Sequence, residues 1–183
     1  MRVAYADPPY VGYAHYYLER DEVDHGALIR QLCDDFPDGW ALSCHSPSLR
    51  ALLPLCPPDI RVMAWVKPFA VFKPGVNPAY AWEPVLVRGG RRRGRDALTV
   101  ADFLSARITF RRGLVGVKPP VFWSWLFAVL GLEPDDTFVD LFPGSGGGSA
   151  AWAEYCAQQR LPFLARTAVD DPGGRRVHGP PRG

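Results

Sequence analysis

The sequence predicts an α/β protein with a mostly parallel sheet flanked by helices, and three observations carry that expectation. Between residues 2 and 67, short apolar β-type runs alternate with runs of helical period in the order strand, helix, strand, helix, strand. The joints are short and rich in Pro, Gly and Asp, the punctuation such units use. Finally, two distant strands stop in residues suited to a site: Asp7-Pro8-Pro9-Tyr10, and Asp140-Leu141-Phe142-Pro143-Gly144-Ser145-Gly146. In open α/β sheets ligands bind beyond the carboxyl ends of strands. The two ends are therefore expected to meet in space and make one site.

Residues 2–6 read as a short buried strand, and Val11–Asp24 as a polar, aromatic loop near the site. From Asp24 to Phe36, Leu28, Ile29 and Leu32 fall at helical spacing, with Asp24 as N-cap and Pro37-Asp38-Gly39 as the stop. Trp40–His45 is the next strand, Ser48–Cys56 a short helix, and Ile60–Lys67 a further strand closed by Pro68. Trp82–Arg88 reads as a strand that Pro84 places at a sheet edge, or whose first residues it demotes. Thr99–Ala106 is expected to be one turn of helix or irregular, and Ile108–Phe110 a strand fragment. Val121–Leu130 is apolar on most sides and reads as a buried helix. Thr137–Leu141 is a strand entering the Gly-rich turn, Ser149–Arg160 a helix and Leu161–Thr167 one more strand. The tail from Val169 has nothing to bury.

A length of 183 residues suits one domain with a sizeable core and is short for two. A net charge of +2 does not announce a polyanion partner, but the distribution is uneven: acids gather between Glu19 and Asp38, bases between Arg88 and Lys118. Cys33, Cys44, Cys56 and Cys156 have no metal spacing and read as reduced thiols, so no metal site is expected. The absence of a signal-like start or a long apolar run argues for a cytoplasmic protein with no membrane partner.

The Gly-rich stretch between strand and helix allows close backbone approach to a ligand, and the helix start offers free N–H groups. It is not a P-loop, because no Gly-Lys-Ser/Thr follows, and its glycine spacing does not fit the dinucleotide fingerprint. Asp7 before two prolines fixes a carboxylate and free carbonyls on a rigid turn, since proline has no N–H. Arg91, Arg92, Arg93 and Arg95 form a basic loop that is a candidate for phosphate contacts. Ser43-Cys44-His45-Ser46 has nucleophile residue types but no partner acid placed by the sequence.

Taken together, Asp7-Pro8-Pro9-Tyr10, the later Asp140-x-Phe142-x-Gly144-x-Gly146 and the weaker Gly116-Val117-Lys118-Pro119-Pro120 make the chain, over roughly residues 2–165, resemble a known family. This is the amino-group DNA methyltransferases that use S-adenosylmethionine, in the permuted arrangement with the catalytic half first. The resemblance implies a methyltransferase-like domain over 1–168, with a catalytic half (1–88), a basic loop (89–113) in place of a recognition insert and a cofactor half (114–168). A disordered tail (169–183) would follow.

The resemblance further implies that Asp7 and the Pro8 carbonyl accept the two N–H bonds of an exocyclic amine, with Pro9 stiffening the turn and Tyr10 stacking on the base. Gly144, Gly146 and Phe142 would hold the methionine end of the cofactor, and Asp140, Lys118 and Pro119 would shape the same pocket. Adenine N6 in DNA is the favoured acceptor, because Asp before two prolines is commoner in the adenine enzymes. The alternatives are a catalytically degenerate nucleic-acid-binding protein of the same fold, or a methyltransferase acting on RNA or a free nucleotide. Two departures bear on partners and cofactor. Gly89–Arg112 is short for a recognition insert, so sequence specificity is expected to be low, or to be supplied by a partner or a second subunit. Leu161–Thr167 ends in Ala165-Arg166-Thr167 without the acid that binds the cofactor ribose in the family.

Overall fold

The computed structural model describes residues 1–12, 22–68, 75–108, 117–144 and 146–160. The expected strand Leu161–Thr167 and the tail from Val169 lie outside these residues, as do most of the Val11–Asp24 loop and of the fragment Ile108–Phe110.

Six strands form one sheet: β1 (Arg2–Ala6), β2 (Gly39–Ser43), β3 (Arg61–Val66), β4 (Trp82–Gly89), β5 (Phe103–Ser105) and β6 (Thr137–Asp140). Their spatial order is β5-β3-β4-β2-β1-β6. Pairing is parallel for β1 with β2, β1 with β6 and β3 with β5, and antiparallel where β4 meets β2 and β3. The expected α/β sheet is present and parallel in three of its five pairs, with the antiparallel β4 making it mixed.

Helices cover both faces. On one side lie α1 (His25–Asp35) and α2 (Leu49–Leu52, with single 3-10 turns at either end), where Leu28, Ile29, Leu32 and Leu52 pack on Ala4, Ala6, Trp40, Leu42 and Leu86. The Asp24 side chain caps α1 by accepting from the Ala27 amide at 2.9 Å. On the other side lie α3 (Pro120–Leu130) and α4 (Gly147–Arg160). Phe122, Trp123, Trp125, Leu126, Phe127 and Leu130 of α3 fill the space over Val3, Tyr5, Val85, Val87, Met63 and Trp65. Side chains as large as Trp65, Phe122 and Leu126 are almost wholly buried. Each such burial stabilises by about 1.5–3 kcal/mol, so this face anchors the domain.

Two local expectations are corrected. Pro84 does not put its strand at an edge: β4 lies inside the sheet, between β2 and β3. The Pro84 carbonyl accepts from the Cys44 amide at 3.0 Å, one residue past the end of β2. Amide and carbonyl of a strand residue point to the same side, so the missing N–H falls where β2 has already ended and costs no ladder bond. Thr99–Ala106 is neither helical nor wholly irregular, because Phe103–Ser105 pairs with Ala64–Val66 and extends the sheet.

Candidate active site

Alternation along the strands builds the site. On the α3 side of the sheet the inward positions are apolar until the end where β1, β2, β3 and β6 finish and β4 begins. There the same row turns polar: Val3 and Tyr5 lead to Asp7, Ala41 to Ser43, Trp65 to Lys67, Phe138 to Asp140, and Val87 and Val85 to Glu83. Lys118, two residues before α3, is buried over this row. Because β1 and β6 are adjacent and parallel, with Tyr5 opposite Asp140, the two strand ends stand side by side. The Leu141 amide donates to the Tyr5 carbonyl at 2.9 Å, which ties the Gly-rich turn to the root of Asp7-Pro8.

The polar row is paired into one line of charges. Lys118 Nζ lies 2.9 Å from Asp7 Oδ2 and 2.6 Å from Glu83 Oε1, while Lys67 Nζ lies 2.8 Å from Glu83 Oε2. The Glu83 and Lys118 side chains are each 4% exposed, whereas Asp7 keeps 25% of its side chain open. Burial pushes the Asp7 carboxyl up and the Lys118 ammonium opposes that push. Burial alone would raise Glu83 as well, but Lys118 and Lys67 outweigh it and hold that carboxyl down at about 2. For Lys118, the charges of Asp7 and Glu83 outweigh burial and keep the ammonium charged well above its ordinary range. Beneath them the Tyr5 hydroxyl shares a 2.8 Å hydrogen bond with Ser43 Oγ.

The Gly-rich turn forms the other wall. Gly144 and Gly146 have φ of 47° and 78°, the left-handed region that side chains disfavour, and a Cβ on Gly146 would meet nothing within 4 Å. Among the described residues, the space beside Gly146 is open. Gly148 is different, since a Cβ there would run into the Asp140 carboxylate and stand 2.9 Å from Trp123. Asp140 Oδ1 accepts from the Phe142 amide at 3.2 Å, and burial pushes its carboxyl up to about 6. Phe142 is partly buried against the core on the α1 side.

At the rim Tyr10 stacks on His45 with centroids 5.4 Å apart, and Tyr80 meets the His45 edge at 4.5 Å. Tyr80 was not singled out by the sequence, where it stood among loop residues. Burial pushes the neighbouring Cys44 thiol up to about 12, which makes it an inert thiol rather than a nucleophile.

Thus Asp7, Pro8, Pro9 and Tyr10 are brought together with Asp140, Phe142, Gly144, Gly146, Lys118 and Pro119 at one end of the sheet. The ammonium of Lys118, expected beside the cofactor, is directed to Asp7 and Glu83. Glu83 itself escaped the sequence reading. Its signal is a lone acid two residues before Val85 on a strand whose same-face neighbours are buried and apolar.

The basic loop goes elsewhere. Gly89 pairs with Gly39 at the start of β2, so Arg91, Arg92 and Arg93 leave the sheet at the amino ends of the parallel strands, away from Asp7. Arg91 donates to Asp136 at 2.8 and 3.0 Å and to the Gly131 carbonyl at 3.0 Å. Arg93 donates to the carbonyls of Leu98 and Ala128. Arg92 and Arg95 are exposed. The loop read as a candidate for phosphate contacts thus lies at the opposite end of the sheet from Asp7.

The fold and the site together define an α/β protein in which a partly open carboxylate and a glycine turn stand side by side at the carboxyl ends of adjacent parallel strands. Among solved structures, the complex of M1.HpyAVI with SAM has the same fold, with a TM-score of 0.59 and 14% identity over 84% of this chain and 77% of that one. A second structure of M1.HpyAVI gives 0.51 and 13%, over 84% and 75%. No family model and no curated protein matches the chain.

Proposed function

We propose that the protein transfers a methyl group from S-adenosylmethionine to the exocyclic amine of a nucleic-acid base, with adenine N6 in DNA as the favoured acceptor. The observation that carries this reading is the pairing of Tyr5 with Asp140, which sets Asp7 beside the Gly144–Gly146 turn with a quarter of its side chain open. The likeness to M1.HpyAVI, crystallised with SAM, supports the choice of cofactor.

The residues present fit that cofactor. The start of α4 offers backbone N–H groups to a carboxylate, while the Gly146 amide already donates to the Pro143 carbonyl at 2.6 Å and shapes the turn. Asp140, half-buried beside them, suits an ammonium. When bound, the cofactor supplies an electrophilic methyl group on a sulfonium. The chain's own contribution is to the acceptor. An aromatic exocyclic amine is a weak nucleophile because its lone pair is delocalised into the ring. The Asp7 carboxylate and the Pro8 carbonyl accept its two N–H bonds and hold the nitrogen pyramidal, with its lone pair free. The N–CH3 bond would form as the S–CH3 bond breaks to leave a neutral thioether, and the surplus amine proton would pass along its hydrogen bond to Asp7 and on to water. Donors and acceptors fixed before the reaction need no reorganisation during it. Tyr10, braced by His45, presents a ring for the base, which must leave the stack if the substrate is a duplex.

Calorimetry with S-adenosylmethionine and radiolabelled methyl transfer to DNA and to RNA test the proposal. Binding and transfer that fail together in the parent protein would remove it. Transfer confined to RNA would move the acceptor from DNA to RNA.

A further inference from the structure

We infer that Glu83 is a positioning residue of the acceptor site, anchoring the Lys118 ammonium where it orients and charge-balances the Asp7 carboxylate. The inference rests on the methyl-transfer reading for the purpose it assigns to Asp7, but its physical content is independent of catalysis.

A charge on an interior strand is costly unless fully paired, and apolar replacements of buried ion pairs often stabilise a protein. The Glu83 face of β4 otherwise carries Val85 and Val87, which the core accepts readily. An acid at this position therefore calls for a use beyond folding. Both of its oxygens are taken, one by each ammonium, at 2.6 and 2.8 Å. The charges run Lys67, Glu83, Lys118, Asp7, and only the two ends reach water: Lys67 is 21% and Asp7 25% exposed. Beneath the line, the Trp65 ring centroid lies 4.5 Å from Lys67 Nζ and 5.4 Å from Lys118 Nζ, and Phe122 lies 5.7 Å from the latter. A single Lys118–Asp7 pair would neutralise Asp7. The extension to Glu83 does something further: it fastens the ammonium to a strand held on both sides by the sheet. Among the described residues, Asp7 has one oxygen committed to Lys118, and a quarter of its side chain remains exposed.

Among the described residues, the charged and titratable groups that bear electrostatically on Asp7 are Lys118 before α3, Glu83 on β4, Lys67 after β3, Tyr5 on β1, Asp140 on β6 and, from the other face of the sheet, Cys44 after β2. Two of these make the test directional. Lys118 lowers the Asp7 pKa and Glu83 raises it. The Asp7 carboxyl is followed by carbon-13 NMR titration in the whole protein without cofactor or DNA. Glu83→Gln keeps the shape and an acceptor but removes the charge, so the Asp7 midpoint should fall, by about one pH unit. Lys118→Met should raise it by about one to three units. Lys67→Gln, at the partly exposed end and least threatening to the fold, should raise it by less. An unmoved midpoint in Glu83→Gln, or shifts of the same sign in Glu83→Gln and Lys118→Met, would overturn the inference. A Glu83 that served the fold alone would lower Tm in Glu83→Gln and leave kcat for methyl transfer by the folded variant unchanged, which would also overturn the inference. If both buried variants fail to fold, Lys67→Gln decides alone, a rise supporting the line of charges and no change refuting it. Methyl transfer by the parent protein is measured separately. Its absence alongside opposite shifts would strike at the methyl-transfer reading and not at the coupling.

Discussion

The two ends of the sheet carry similar charged residues put to different uses. At the amino ends of the parallel strands, Asp136 takes the N-terminal ammonium, the Glu133 amide and Arg91, and Arg91 also reaches Glu133 at 3.2 Å and the Gly131 carbonyl. Asp136 is 4% exposed and these fixed donors surround it, so it has no open face. At the carboxyl ends, Asp7 gives one oxygen to Lys118 and keeps a quarter of its side chain open. Both clusters join the first strand to residues more than a hundred positions later. Among the described residues, the first closes on itself as a clamp, while the second leaves part of Asp7 open. On the methyl-transfer reading, that open part receives the acceptor amine.

The comparison breaks first at Asp7. Asp7→Asn should leave the thermal transition near that of the parent protein while slowing methyl transfer on the order of 10²–10³-fold, as for loss of one preorganised partner of the reacting group. Single-turnover transfer alongside a melting curve separates the two effects, and a variant that melts early would make Asp7 a clamp residue like Asp136.

Asp140 sharpens the cofactor side. Its carboxyl titrates near 6 because burial raises it, so it is ionised above that pH and neutral below. If it receives the cofactor's ammonium, affinity for S-adenosylmethionine should fall by up to about tenfold per pH unit as pH drops below 6. Calorimetry across pH 5–8 reads this, and Asp140→Asn should flatten the curve.

At the clamp the effect should lie in stability alone. Burial works to raise Asp136, but the N-terminal ammonium, the Glu133 amide and Arg91 outweigh it and hold the carboxyl below its ordinary value. An acid lowered in this way contributes stability above its unfolded pKa, and the contribution disappears as pH falls through the lowered value. Asp136→Asn should therefore lower Tm at neutral pH, converge with the parent protein in acid and leave transfer unchanged. The smallest change is expected from replacing Arg92 and Arg95 together by Ala. Methyl transfer should hardly move, and any loss should be confined to the salt-dependent part of DNA binding, with a slope reduced by about one per arginine.

Much of this was legible in the residues. β1 and β6 announced themselves as apolar runs that stop, in Asp7-Pro8-Pro9 and in Asp140 with its glycines, and Asp24 and Pro37 bounded α1. Such signals are local, and local chemistry decides them. What escaped depended on sheet order. Pro84 looked like an edge residue because nothing nearby in sequence shows that β2 ends opposite it. Glu83 looked unremarkable because its partners lie 16 and 35 residues away. Lys118 was placed in the cofactor pocket by resemblance, and its contacts to Asp7 and Glu83 could not be read from the sequence. The arginines drew attention by number, but β4 runs antiparallel and delivers them to the far end of the sheet.

The central claim is that Asp7 presents an exocyclic amine to a methyl donor held by the turn at Gly144 and Gly146. Its most direct test is mass spectrometry of nucleosides from DNA incubated with the protein and S-adenosylmethionine carrying a deuterated methyl group. The account predicts labelled N6-methyladenine, which is lost with Asp7→Ala. Equal labelling by parent and Asp7→Ala, or no labelled base from a parent protein that binds the cofactor and the DNA, would contradict it.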